Sequence, residues 1–430
     1  MEQNSVEENR TDEQARRSRR AGGGRFFAGG LLAGAALTLA VGGLVLAEQQ
    51  LGWFGLAQGV PGASFDESAS AINSDSVYKL QLLEESIDEY YYKSDELTAE
   101  QKEDGMYKGL LASLGDPYSV YYNEEEVKDL SAQTQGVYYG IGASIGIDEK
   151  TQAPVIDRVV PGTPAEAAGL RTGDVIYKVD GQEGLGLSIE EVVALIKGEE
   201  GTTVHLTIYR EGEDDYLEMD IERAQVDAQT VSSEMLDDGI GYLQIAEFDK
   251  VTVDQFAEAL MNLKEQGMRG LILDLRSNPG GDADVVTEIA GHILPEGLVF
   301  YVVDKNGGRT DYRCEGKDPL EVPLVVLVNE DSASASEILA GAIQDAGIGT
   351  VVGMQTYGKG VVQTIYSLTD GTALKLTVAG YFTRGGRDIN EKGITPDVEC
   401  PFDAERYYED GTDNQLEKGI EVLEEKMAQS

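Results

Sequence analysis

Apolar residues recur at helical spacing twice early in the chain: at Leu80, Leu83, Ile87, Tyr90 and Tyr91 across residues 77–92, and again across 99–114, where Gly115, Asp116 and Pro117 end the run. These patterns predict a small helical region over 77–135. From Tyr138 the period shortens. Residues 154–161 and 174–181 read as strands, 164–169 and 189–196 as helices, and 203–209 alternates as a half-buried strand does. Further on, 239–248, 270–275, 322–329 and 349–353 are apolar runs of the kind that buried strands show, and 334–345 between the last two reads as a helix. Strands alternating with helices predict an α/β core. The final segment, 414–427, is a charged amphipathic helix suited to packing on a partner subunit, as in a homodimer.

One apolar run precedes all of these. Residues 26–47 form a stretch of 22 without a charge, rich in Ala, Leu, Gly and Val, and a spanning helix needs roughly 20. Arg16, Arg17, Arg19, Arg20 and Arg25 stand just before it. That order predicts a cytoplasmic N-terminus and an exported remainder: a single-pass protein of the cell membrane with its larger part extracytoplasmic. A signal peptide cleaved after Val45-Leu46-Ala47 is the rival reading, although the run is longer than the roughly 7–15 residues of a signal core. Twin-arginine export through Arg19-Arg20 fits less well, because Ala21-Gly22-Gly23 stands where bulky apolar residues would follow. Residues 58–76, rich in Gly, Ser, Ala and Asn, read as a tether.

With 430 residues the chain has room for two or three domains, and its net charge of -44 argues against nucleic acid as a partner. Cys314 and Cys400 read as two isolated thiols. With only His205 and His292 besides, no zinc-ligand spacing exists, and no cofactor is called for.

A hydrolase needs a nucleophile, a group to take its proton and donors for the developing oxyanion. Residues 329–337, Asn-Glu-Asp-Ser-Ala-Ser-Ala-Ser-Glu, are small residues between a predicted buried strand and a predicted helix. Such a junction exposes a hydroxyl and aims helix N-terminal amides at an anion. The plainer alternative is that these serines only cap the helix, with Glu337 completing a capping box to Ser334. For the base, His205 falls in a predicted strand and His292 on a predicted helix among ordinary core residues, which leaves lysine. Lys359 stands between Gly358 and Gly360, where backbone can approach closely. A lysine serves as a base near neutral pH only if its surroundings lower its affinity for the proton. Gln363 lies on the same side of an extended strand and is placed to orient the amine as a third member.

The block 136–224 resembles a PDZ domain of the circularly arranged kind found in exported bacterial proteases. Tyr139, Gly140, Ile141 and Gly142 match its carboxylate-binding loop, and the run from Pro161 to Leu170, followed by Gly173-Asp174, matches its helix and turn. Over roughly residues 77–425 the chain is similar to the C-terminal processing peptidases, or tail-specific proteases, a Ser/Lys family. Four blocks carry the likeness: residues 273–281, 332–337, 358–363 and 393–397. The resemblance implies a multi-domain α/β protein with a crotonase-like α/β peptidase core, an inserted PDZ domain and an N-terminal helical region. It implies Ser334 as nucleophile, Lys359 as base, Gln363 as its orienting partner, and the amides of Ala335 and Gly280 as the oxyanion hole. Arg384 stands where the family usually carries proline.

The implied divisions are 1–25 a cytoplasmic tail, 26–47 the anchor or signal, 48–76 the linker, 77–135 the helical region, 136–224 the PDZ domain, 225–402 the peptidase core and 403–430 a C-terminal helical segment. The implied partners are protein or peptide substrates with free C-termini, gripped as an added strand. A silent PDZ scaffold would not need the Ser334, Lys359 and Gln363 set, and an acyl-CoA enzyme has only fold-level support. Because the PDZ domain is inserted between the N-terminal helices and the core, it is also placed to gate access to Ser334; Arg171 is the candidate coupling residue, with an exposed surface arginine as the plainer reading.

Overall fold

The computed structural model describes residues 70–148, 151–213 and 215–429. The apolar run at 26–47 and the arginines before it lie outside these. Among the described residues no helix is long and apolar enough to cross a membrane.

The chain divides into two compact units, one holding residues up to Glu103 together with Thr364–Leu376, the other Asp104–Gln363 together with the chain from Thr377 onward. The first contains the helix Ser74–Tyr90, opened by Asn73, whose side chain accepts from the amides of Asp75 and Ser76. The periodicity foretold this helix, yet Leu80, Leu83 and Ile87 are all exposed.

In the second unit the helix Glu124–Gln135 begins at an Asn123–Glu126 capping box and ends at Gly136, whose left-handed φ of 69° suits glycine. There the chain enters a neck: Val137–Gly140 pairs antiparallel with the returning Ala224–Asp227. Between them lies a β-domain of sheet order Ala143–Ile147, Pro154–Val159, Val175–Val179, Thr203–Tyr209, Leu217–Glu222. Its strands alternate inward, so that Ile156, Ile176, Leu206 and Ile208 are fully buried with Val192 and Ile196 of the helix Ile189–Ile196. Ala143–Ile147 is an edge strand.

The core is a six-stranded sheet in the order Val231–Met235, Ile240–Ile245, Gly270–Asp274, Leu324–Val328, Gly349–Gly353, Val398–Glu399. The first pair is antiparallel and the others parallel. In Leu324–Val328 every residue is buried because successive side chains feed opposite faces. Leu324, Val326 and Val328 join the helices Lys250–Glu265, Ala283–Ala290 and Ala335–Ala346, whereas Val325 and Leu327 meet Leu423. Leu423 belongs to Asn414–Met427, and this corrects the expectation of a helix for a partner subunit. Its apolar stripe, Leu416, Ile420, Leu423 and Met427, covers this chain's own sheet, and Gly419 fits closely against Leu327. A second sheet, absent from the sequence reading, joins Val120–Tyr122, Ala373–Thr383, Gly297–Asp304 and Arg309–Cys314, with Val361–Ser367 also pairing Ala373–Thr383. Cys314 and Cys400 are free thiols.

Asp249 caps Lys250–Glu265 at the foot of the neck, where a Cβ on Gly136 would stand 2.8 Å from the Asp249 Cβ. Burial, then the charges of Glu247 and Asp282, pushes the Asp249 carboxyl up to about 7. Lys250 pairs with Asp282 at 2.9 Å instead. The fold therefore holds a proton that the unfolded chain releases near pH ~4. This contribution is fully present below that value and is lost as pH rises through about 7. Asp249→Asn, which keeps a capping side chain, should stabilise the protein by roughly 1–3 kcal/mol near pH 8 and by clearly less near pH 5, read from urea melts.

Candidate active site

In an open parallel sheet the loops beyond the carboxyl ends of the strands form the natural crevice. Asp274 and Leu327 are neighbours in parallel register, so the loops that follow them meet. Ser332 Oγ donates to the Leu275 carbonyl at 2.8 Å, the Ala333 amide to the Asn278 carbonyl at 3.0 Å, and Ser336 Oγ to the same carbonyl at 3.0 Å. Thus the serines flanking Ser334 are fasteners, and Ser334 itself sits at the turn into the helix Ala335–Ala346 with φ 54° and ψ −113°. A non-glycine residue is held there only by its surroundings, the arrangement of a strained strand-to-helix elbow.

The surroundings centre on Glu337, which has no solvent exposure. One carboxylate oxygen, Oε2, accepts from the Ser334 amide at 2.9 Å and from the Lys359 amide at 2.9 Å. The other, Oε1, accepts from Thr356 Oγ1 at 2.6 Å and the Gly358 amide at 2.8 Å. Glu337 does close a capping box with Ser334, and it also gathers the lysine loop onto the serine helix. The glycines flanking Lys359 make the close approach possible: a Cβ on Gly360 would stand 2.4 Å from the Asn390 amide nitrogen, and one on Gly358 2.9 Å from that of Lys392. Below this loop Thr356 Oγ1 accepts from the Ile394 amide at 2.6 Å, which brings in the block at 393–397. Tyr381, its hydroxyl held well above the usual tyrosine range by burial and then by Glu337, donates to the Ser334 carbonyl at 3.0 Å. Lys359 is half-buried, with Nζ 4.6 Å from the centroid of the Tyr118 ring.

The other expected residues are placed as follows. Gln363 Nε2 donates to Thr377 Oγ1 at 3.1 Å. Gly280, φ 111°, lies against the serine, where an added Cβ would stand 2.7 Å from the Ser334 Cβ and 3.0 Å from the Ala335 nitrogen. Its amide donates to Asn278 Oδ1 at 2.8 Å, closing a local turn. Asn278 is otherwise tied to the Ile245 carbonyl at 2.8 Å. The Ala335 amide is the first of the helix, among those that lack an intrahelical partner.

In the β-domain, Tyr139 and Gly140 close the neck strand, Ile141 is buried, and Gly142 (φ 83°) presses on Thr163, whose Oγ1 donates to the Gly142 carbonyl at 3.1 Å. Arg171 is exposed. The guanidinium that fastens this part of the domain is Arg210, on both oxygens of Asp174 at 2.7 Å and on the Gly169 carbonyl at 2.8 Å. Neither histidine enters the site. His205 contacts Asp220 and Glu218, which raise its pKa in that order, and His292 follows the helix Ala283–Ala290 in a turn, its pKa lowered by burial. Among the described residues no group of His, Cys, Asp or Glu is arranged to hold a metal ion.

A family model described as peptidase family S41 matches residues 239–400, and a PDZ-domain model matches 155–210. Over 354 residues the chain is 37% identical to carboxy-terminal processing protease CtpA of Bacillus subtilis (strain 168), a span of 80% of this chain and 75% of that protein. The chain belongs to peptidase family S41. A second relative, the carboxyl-terminal-processing protease of Synechocystis sp., is 36% identical over 320 residues, 73% of this chain and 75% of that one. The solved photosystem II D1 C-terminal processing protease superimposes with a TM-score of 0.45 at 30% identity, over 77% of this chain and 94% of that chain. This S41 member is thus a serine peptidase with a PDZ domain and a multi-domain α/β fold. The sequence reading of the S41 site missed the reach of Glu337 beyond its own helix, and missed Tyr118 and Tyr381. Only the capping spacing of Ser334 and Glu337 gave a local signal for any of the three.

Proposed function

We propose that the protein is a membrane-tethered, extracytoplasmic endopeptidase that reads substrate C-termini with its PDZ domain and cleaves through an acyl-enzyme on Ser334. The observation that carries the reading is the bond of the Ser334 and Lys359 amides to one oxygen of Glu337. In this mechanism Ser334 Oγ attacks the scissile carbonyl carbon while its proton passes to Lys359 Nζ. The resulting ammonium gives that proton to the leaving amine as the C–N bond breaks. Water then adds to the acyl carbon, its proton moving to Lys359, and collapse restores Ser334 and releases the carboxylate product. The Ala335 amide, at the positive end of its helix, stabilises the oxyanion. The Gly280 amide joins it after leaving Asn278 Oδ1, by a turn of the Pro279–Gly280 peptide that the freedom of Gly280 itself allows. Gln363 orients the amine.

Recognition of a tail is supported by the edge strand Ala143–Ile147, which follows the 139–142 loop and has the helix Ile189–Ile196 beside it. An extended peptide can add to that edge with its carboxylate toward the loop amides. Tethering and export rest on the apolar run 26–47 behind its arginines.

An unfolded protein substrate ending in an apolar free carboxylate should be cleaved with kcat/KM about tenfold or more above that of the same chain amidated at its C-terminus. Equal rates would overturn the tail-reading role. The full chain should sediment with membranes and be degraded by protease added outside intact cells. Recovery of a soluble form beginning at Glu48 would overturn the tether.

A further inference from the structure

The lysine loop is approached by a segment far from it in sequence. Ser119 is buried, and its Oγ accepts from the Thr377 amide at 3.1 Å while donating to Asp116 Oδ2 at 2.5 Å. Thr377 is also the residue that receives Gln363. The segment 116–119 is therefore fixed to the strand Ala373–Thr383, which pairs with the strand Val361–Ser367 that carries the third member of the proposed triad. Between its two anchors stands Tyr118, whose ring presents a face to Lys359 Nζ at 4.6 Å from the centroid. The Tyr118 hydroxyl faces Tyr357, and burial and then Tyr357 push it up to about 12, so the ring is a neutral phenol at the pH of catalysis.

We propose that Tyr118 is a positioning residue for the S41 reaction, its ring face holding the ammonium that forms on Lys359 when Ser334 gives up its proton. This rests on Lys359 being the base. The electron-rich face of an aromatic ring attracts a cation and has no such attraction for a neutral amine. It therefore favours the protonated product of the transfer over the amine that precedes it. Burial acts to raise the Asp116 carboxyl, but the bonds from Ser119, Thr377 and the Tyr118 amide, with a further contribution from the Lys359 charge, hold it below its usual range, so this carboxylate favours the same cation.

The test places mono-, di- and trifluorinated phenylalanine at position 118 of the full-length protein and follows kcat/KM against pH. Fluorine withdraws electrons from the ring face at almost unchanged shape, so folding is preserved across the series. The acid limb of the profile should move stepwise to lower pH, by about half a unit to one unit in all. Activity at the plateau should fall several-fold, up to about tenfold. Tyr118→Phe should keep the parent profile, and Tyr118→Leu should shift at least as far as the trifluorinated ring. A profile that does not move with fluorination overturns the proposal. Lys359→Ala serves as the control that separates the two readings. If it is inactive while fluorination has no effect, only the role of Tyr118 fails. If it remains active, the assignment of Lys359 as base fails first.

Discussion

Lys359→Arg leaves a folded protein that does not cleave. Arginine keeps the positive charge and the backbone amide that binds Glu337 Oε2 at 2.9 Å, so the loop retains its attachment and stability should change by no more than about 1 kcal/mol. What it cannot do is release a proton at any accessible pH, and a guanidinium has no lone pair to accept one from Ser334 Oγ. General-base catalysis is typically worth 10²–10⁴-fold, so kcat/KM should fall by roughly 10³-fold or more. Ser334→Ala removes the attacking atom itself and should cost about 10⁴–10⁶-fold. Because the two act in one step, the double variant should be no worse than Ser334→Ala alone. Thermal melting with a fluorogenic peptide assay separates chemistry from folding. Activity of Lys359→Arg near the parent level would remove lysine from the mechanism.

The parts of the fold visible in the sequence were those decided by local pattern. The helix 189–196 and the strands 203–209 and 349–353 were read with the bounds they have, because each is a single periodic run with turn residues on either side. The second sheet was not seen. Both local signals were there to be read, a continuous apolar run from Leu298 to Val303 and the alternation of Leu374, Leu376 and Val378 with Lys375 and Thr377, but neither shows which distant strand each one pairs with. The C-terminal helix was recognised as amphipathic but given the wrong partner, since a stripe on a helix states that something covers it without stating what.

The same division runs through the site. Ser334 was legible from the small residues between a buried strand and a helix, and Lys359 from its flanking glycines, whose close contacts with Asn390 and Lys392 are now explicit. Tyr118 was not, because its approach to Lys359 depends on where the segment 116–119 is anchored. That anchor is a single hydrogen bond between Ser119 and Thr377, residues no local rule connects. Glu337 was half legible: the capping spacing gave its bond to the Ser334 amide, while the three donors from 356–359 arrive only through the tertiary fold.

Those three donors set the largest stability effect expected of any single change here. Glu337→Gln preserves size and shape but replaces one acceptor oxygen with an amide NH2 that can only donate. Whichever way the amide turns, it faces two donors: the Ser334 and Lys359 amides on one side, or Thr356 Oγ1 and the Gly358 amide on the other. At a position with no exposure, water cannot take over. Each buried donor left without a partner costs about 1–3 kcal/mol, so a loss of roughly 2–5 kcal/mol in stability is expected. Activity should fall further than stability explains, because the same bonds hold the strained Ser334 backbone at φ 54° and hold the lysine loop beside it. A displacement of about 1 Å in such a pair can cost 10²-fold in rate. Glu337→Gln should therefore retain a cooperative but lowered melt and lose about 10²–10³-fold in kcat/KM measured well below that melt. Glu337→Asp keeps both acceptors on a shorter arm and should recover part of the stability but little of the rate. A Glu337→Gln enzyme with the parent's melt and rate would show that the shared carboxylate oxygen does not align serine and lysine.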